Sequence, residues 1–155
     1  MKPLAILSLA LAFVIEIVAA PLNDTFIYSA TLSGNEHFVV ADNTGATAEP
    51  GEPNHAGKAF GNSLWWSWTA PASGHVTVDT AGSFFHPLLA VYTGNAVNSL
   101  TLVASNYFEG SFDHPDRSKL SFTATAGQQY RIVVDSVVDV DQGVLILYLR
   151  AGALT

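Results

Sequence analysis

Leu64-Trp65-Trp66-Ser67-Trp68-Thr69 holds all three tryptophans of a 155-residue chain within six residues. In an extended strand successive side chains point to opposite faces, so Leu64, Trp66 and Trp68 share one face and Trp65, Ser67 and Thr69 the other. Trp66 and Trp68 are therefore predicted to enter a core. The flanks support a strand: Pro71-Ala72-Ser73-Gly74 supplies a turn on one side, and the Pro- and Gly-rich stretch Glu49-Pro50-Gly51-Glu52-Pro53-Asn54 precedes it on the other.

Outward from this strand, short runs of period-2 alternation recur between Gly, Pro, Asn and Asp turn signals, and helical periodicity is nearly absent after residue 20. The predicted strands are Glu36 to Ala41, Leu64 to Thr69, His75 to Thr80, Leu88 to Thr93, Leu100 to Ser105, Lys119 to Ala124, Gln129 to Asp135 and Val144 to Arg150. Eight short strands with hairpin-type connections predict an all-β, antiparallel, jelly-roll-like β-sandwich. Parity adds Val76, Val78, Leu89, Val91, Leu120, Phe122, Tyr130, Ile132, Val134, Leu145, Leu147 and Leu149 to its core, between sheets about 10 Å apart. The last strand is apolar on its second face too, through Val144, Ile146 and Tyr148. Such a face calls for cover, by another segment of this chain or by a neighbouring domain.

The first twenty residues read differently. Lys2 gives a positive start, Leu4 to Val14 is almost wholly apolar, and Val18-Ala19-Ala20 offers small residues for a signal peptidase. Residues 1–20 are read as a secretory signal peptide, leaving a single sandwich domain over 21–155. The apolar run is shorter than the roughly 20 residues of a membrane-spanning helix, and no second span follows. The chain has no cysteine, so packing rather than disulfides must hold the domain. With 13 acidic and 6 basic residues the net charge is -7, opposite in sign to what a nucleic-acid groove or an anionic membrane surface requires.

The ordered set of motifs resembles the bacterial pre-peptidase C-terminal domains, sandwiches appended to secreted peptidases and repeated in exported proteins. The resemblance is carried by Asn23-Asp24-Thr25-Phe26, by Gly45 to Gly57, by Leu64 to Pro71 and by Gly74 to Thr80. Leu89 to Gly94, Ser121 to Gly127 and Tyr130 to Asp135 continue it in order. It covers nearly all of residues 22–150. The sequence departs from the family pattern at His86, and at Tyr107-Phe108, where acidic residues are frequent. The family is also similar to collagen-binding domains of clostridial collagenases, in which an N-terminal segment and the loop before the aromatic strand hold calcium.

That resemblance gives Asn23, Asp24, Glu49 and Glu52 a role as calcium ligands, since calcium takes several hard oxygen donors from flexible loops. Their residues alone fit equally a set of solvated loop acids. Asn23-Asp24-Thr25 also matches a glycosylation acceptor. A second acidic set, Asp135, Asp139 and Asp141 before Gly143, reads as a solvated turn. For ligand contact, Trp65 faces away from the core by parity, and Tyr107 and Phe108 fall in a loop. Exposed aromatics of this kind stack on sugar rings, although for Trp65 packing beneath the N-terminal segment is the favoured reading.

His37, His55, His75, His86 and His114 are scattered, with no H-E-x-x-H helix and no G-x-S-x-G elbow. The expectation is thus a secreted or cell-surface, non-catalytic accessory module that binds or spaces, touching an extracellular protein, a polysaccharide or neighbouring domains. Its rivals are a structural repeat or assembly subunit, and a small extracellular hydrolase built from loop Asp and His.

Overall fold

The computed structural model of the chain describes residues 19–58, 61–107, 117–137 and 141–152. Nine strands follow one another: β1 (Ala30–Leu32), β2 (Glu36–Asp42), β3 (Leu64–Thr69), β4 (Gly74–Asp79), β5 (Pro87–Thr93), β6 (Thr101–Tyr107), β7 (Lys119–Ala124), β8 (Gln129–Ser136) and β9 (Val144–Ala151). They form a five-stranded sheet, β1-β3-β8-β5-β6, and a four-stranded sheet, β2-β9-β4-β7. Every pairing is antiparallel except β1 with β3. All eight predicted strands are present within two residues of their predicted ends. The ninth, β1, has only three residues, too few to show a period.

The alternation of β3 explains the layering. Trp66, Trp68 and Leu64 enter the space between the sheets, where they meet Ile132 and Val134 of β8, Leu89 and Val91 of β5, and Leu145, Leu147 and Leu149 of β9. The indole N–H of Trp68 donates to the Gly34 carbonyl at 2.8 Å, which removes the penalty of burying it. Trp65 points the other way and is still 0% exposed. A second apolar cluster of Phe26, Trp65, Ala90, Tyr92 and Val133 lies on the outer face of the five-stranded sheet. Phe26 belongs to a short 3-10 turn at Phe26–Tyr28, and its ring meets the Trp65 ring edge-on at 5.3 Å. β5 and β8 are thus buried on both faces, and β5 reads almost continuously apolar for that reason.

Among the described residues the four-stranded sheet has no such second cover. Phe38 and Val40 of β2 are 62% and 60% exposed, with half-buried Ile146 and Tyr148 of β9 beside them. The loop after β4 reaches this face. There Phe84 donates its N–H to the Val144 carbonyl at 2.8 Å, and Gly82 sits so close that a Cβ would lie 3.1 Å from Ile146 Cδ1. Gly82 also holds a φ of +89°, so the approach needs glycine twice over.

Candidate functional site

The structure brings Asn23, Asp24, Glu49 and Glu52 to one side of the five-stranded sheet, where they tie the N-terminal segment to the loop before β3. Asn23 Nδ2 donates to the Trp65 carbonyl at 3.1 Å, and the Trp65 N–H returns a bond to the Asn23 carbonyl at 2.9 Å. Asp24 accepts from the Thr47 N–H at 2.5 Å and from the Thr47 hydroxyl at 2.9 Å. Glu49 Oε1 accepts the Phe26 N–H at 3.0 Å, and Glu52 Oε2 accepts the Glu49 N–H at 2.9 Å. Three carboxylates are thus occupied by protein donors. Among the described residues no group of three or more His, Asp or Glu is placed to hold a metal ion. The donor set does not fit a calcium cage as it stands, because an ion would have to displace N–H groups from these oxygens.

Beneath the tie lies a buried polar chain whose members the sequence scatters. His55 is 1% exposed. Its Nε2 pairs with Glu52 Oε1 at 2.7 Å and its Nδ1 with the Tyr92 hydroxyl at 2.9 Å. A neutral imidazole with its proton on Nε2 satisfies both bonds, with the phenol donating to Nδ1. Burial, reinforced by the Glu52 carboxylate, pushes the Tyr92 phenol up to about 12, so it remains a donor. Next to His55 the turn passes through Ala56 at φ +46°, a left-handed conformation that a β-carbon disfavours.

Asp135 is a correction to the solvated-turn reading. It is 0% exposed within β8. One oxygen accepts the N–H groups of Asn62 at 2.9 Å and Ser136 at 2.7 Å, while Oδ2 has no hydrogen-bond partner. Burial raises its pKa above the ordinary carboxylate value, and the Glu52 carboxylate adds to the rise, against the lowering effect of the two N–H bonds. Asp141 also leaves the solvated set, since it accepts from the His86 N–H at 2.8 Å and pairs with His86 Nδ1 at 2.5 Å. The pair clips the loop before β5 to the approach to β9. Asp139 and His114 lie outside the described residues, as do Phe108 and residues 1–18 of the expected signal peptide.

The ligand-contact residues divide. Trp65 is withdrawn as a contact: Phe26 and His55 pack against its ring, each at 5.3 Å. Tyr107 ends strand β6 rather than sitting in a loop, and Lys58 Nζ lies 4.8 Å from its ring centroid.

The exposed aromatic surface is elsewhere, on the four-stranded sheet. Register sets Phe38 opposite Tyr148, Val40 opposite Ile146 and Glu36 opposite Arg150. The Phe38 and Tyr148 rings are 5.1 Å apart, and the Arg150 guanidinium lies 5.3 Å from the Tyr148 centroid. A shallow depression of about 320 Å³, lined by Glu36, His37, Phe38, Tyr148, Leu149 and Arg150, opens at this end. The sequence carried part of the signal in the doubly apolar β9. The other part, the apolar outer residues of Glu36-His37-Phe38-Val39-Val40-Ala41-Asp42, shows only once parity is set by pairing with β9.

No family model matches the chain, and no curated protein matches it. Among solved structures it is similar to the surface-associated copper-binding protein CorA of Methylomicrobium album, at 10% identity and a TM-score of 0.48, over 81% of this chain and 98% of that one. A cleaved adhesin domain of Lys-gingipain from Porphyromonas gingivalis matches at 16% identity and a TM-score of 0.39, over 74% and 90%. A family 35 carbohydrate-binding module from Clostridium thermocellum matches at 15% and 0.37, over 76% and 92%. At these identities and scores nothing about the neighbours' ligands transfers to this chain. Among the described residues no helix is long and apolar enough to cross a membrane.

Proposed function

We propose that the chain is a secreted or cell-surface, non-catalytic binding module of the pre-peptidase C-terminal type, which holds an extracellular protein or polysaccharide against the outer face of its four-stranded sheet. One observation carries this reading: a contiguous apolar row, Phe38–Tyr148 and Val40–Ile146, stands open on paired strands. A face of this kind on a soluble domain marks contact. Strands hold the row in place, so little ordering entropy is lost when something docks. Among the described residues, His55 is held in structural bonds to Glu52 and Tyr92, and His86 to Asp141.

The test is retention of the purified chain on insoluble cellulose, chitin and peptidoglycan and on immobilised collagen and fibronectin, beside the variants Phe38→Ser and Tyr148→Ser. Retention on at least one support is expected, weakened about tenfold in the variants, as for a central aromatic anchor. Retention that ignores both substitutions, or none on any support, would refute the assignment of this face.

A further inference from the structure

Among the described residues β2 is an edge strand, with β9 on one side and no strand on the other. The direction of its backbone follows from two bonds at its ends. Ala151 N–H donates to the Asn35 carbonyl at 2.7 Å, and Asn43 N–H donates to the Gly143 carbonyl at 3.2 Å. In the register that pairs Glu36 with Arg150 and Asp42 with Val144, odd-numbered residues turn their backbone groups toward β9. Antiparallel ladders alternate, so Glu36, Phe38, Val40 and Asp42 turn their N–H and C=O groups to the open side. The side chains of these same four residues form the outer face.

The usual protections of an edge are missing. β2 contains no proline and no lysine, and its pairing with β9 shows no bulge over seven residues. What it has is an acid at either end. Among the described residues the ion pairs are His55–Glu52, His86–Asp141 and Arg117–Asp79, so neither Glu36 nor Asp42 belongs to one. Arg150 flanks Glu36 but stacks on Tyr148.

These features discriminate between occupants. A polysaccharide has no peptide backbone whose N–H and C=O groups recur at strand spacing to meet these four pairs. A second copy pairing antiparallel about Val39 would oppose Glu36 to Asp42 at both ends, and each copy carries a net charge of -7. An extended peptide with apolar side chains at alternate positions and a basic residue at each end satisfies the backbone, the Phe38–Val40 row and the two acids together. Resting on the reading that this face is the binding surface, we infer that β2 accepts such a segment of a partner protein as a fifth, antiparallel strand.

The probe is a capped, fluorescein-labelled peptide, Lys-Thr-Val-Thr-Val-Thr-Lys, titrated with the purified full chain and read by fluorescence anisotropy. Saturable binding is expected. N-methylation of both valines, whose N–H groups face β2 in the antiparallel register, should abolish it, whereas N-methylation of the first two threonines should leave it. A Glu-ended counterpart should bind at least about fivefold more weakly at low salt, with the gap closing as salt is added. The variant Glu36→Gln with Asp42→Asn keeps an acceptor for the Thr44 N–H and should erase that gap. No saturable binding, or binding indifferent to valine N-methylation, would overturn strand addition. Sedimentation showing a dimer that Phe38→Ser dissolves would overturn it in favour of a second copy. If the chain is retained on a polysaccharide through Phe38 while the peptide fails to bind, the outer-face reading stands and strand addition falls.

Discussion

Replacing His55 with alanine is expected to destabilise the domain by about 3 to 5 kcal/mol. The imidazole is 1% exposed, and both nitrogens are engaged, with Glu52 at 2.7 Å and with Tyr92 at 2.9 Å. Its removal leaves Glu52 Oε1, on a side chain 5% exposed, facing a void without its donor, while Oε2 keeps only the Glu49 N–H. The Tyr92 hydroxyl is orphaned as well, and each unsatisfied buried group costs about 1 to 3 kcal/mol. The ring also fills the space between Trp65 and Tyr92, at 5.3 and 5.6 Å, so a cavity adds to the loss. Urea unfolding followed by tryptophan fluorescence and far-ultraviolet circular dichroism measures the change. The double variant His55→Ala with Glu52→Ala should cost clearly less than the two single losses combined, because removing Glu52 removes the stranded charge. A His55→Ala protein within about 1 kcal/mol of the parent would show that the loop over Trp65 is not packed as described.

Trp68→Ala should cost about 3 to 5 kcal/mol, through lost burial, a cavity and the lost bond to Gly34, whereas exposed Phe38→Ala should stay within about 0.5 kcal/mol in the same urea experiment. Asp135 binds its proton more tightly folded than unfolded, so its contribution to stability is fully present below the unfolded value of about 3.9 and is lost as pH rises through the raised folded value. Asp135→Asn should therefore gain on the parent as urea midpoints are followed from pH 4 to pH 8, and a constant difference would contradict the burial argument. Calcium is tested by melting the chain in chelator and in several millimolar calcium. Coincident curves are expected from carboxylates already held by N–H donors, while a higher melting temperature in calcium would show that Asp24 and Glu49 exchange those donors for the ion.

Strands and core were legible because a half-buried strand writes its burial into a period of two. Trp66 and Trp68 inside, and the ends of β3 and β7, follow directly from that. Parity rightly set Trp65 outside the main core, and its expected packing beneath the N-terminal segment is what Phe26 supplies, at 5.3 Å between the rings. Asp135 was not legible, since nothing local distinguishes a turn acid from one under a distant loop. The polar chain of Glu52, His55 and Tyr92 was hidden because His55 and Tyr92 stand 37 residues apart along the chain and meet only once the loop before β3 folds over β5. The exposed row was half visible in β9. It became a surface only when β2 supplied Phe38 and Val40 beside it.

The unequal covering of the two sheets also divides the molecule in time. Amides of β5 and β8 lie between two apolar layers and can exchange with solvent only when much of the domain opens. Those of the four-stranded sheet lie, among the described residues, under one layer, and along β2 every second amide turns away from β9. Protection from exchange should therefore alternate residue by residue along β2 and run unbroken along β8. The slow half of the protein holds its shape, and the fast edge is the part left free to take up another strand.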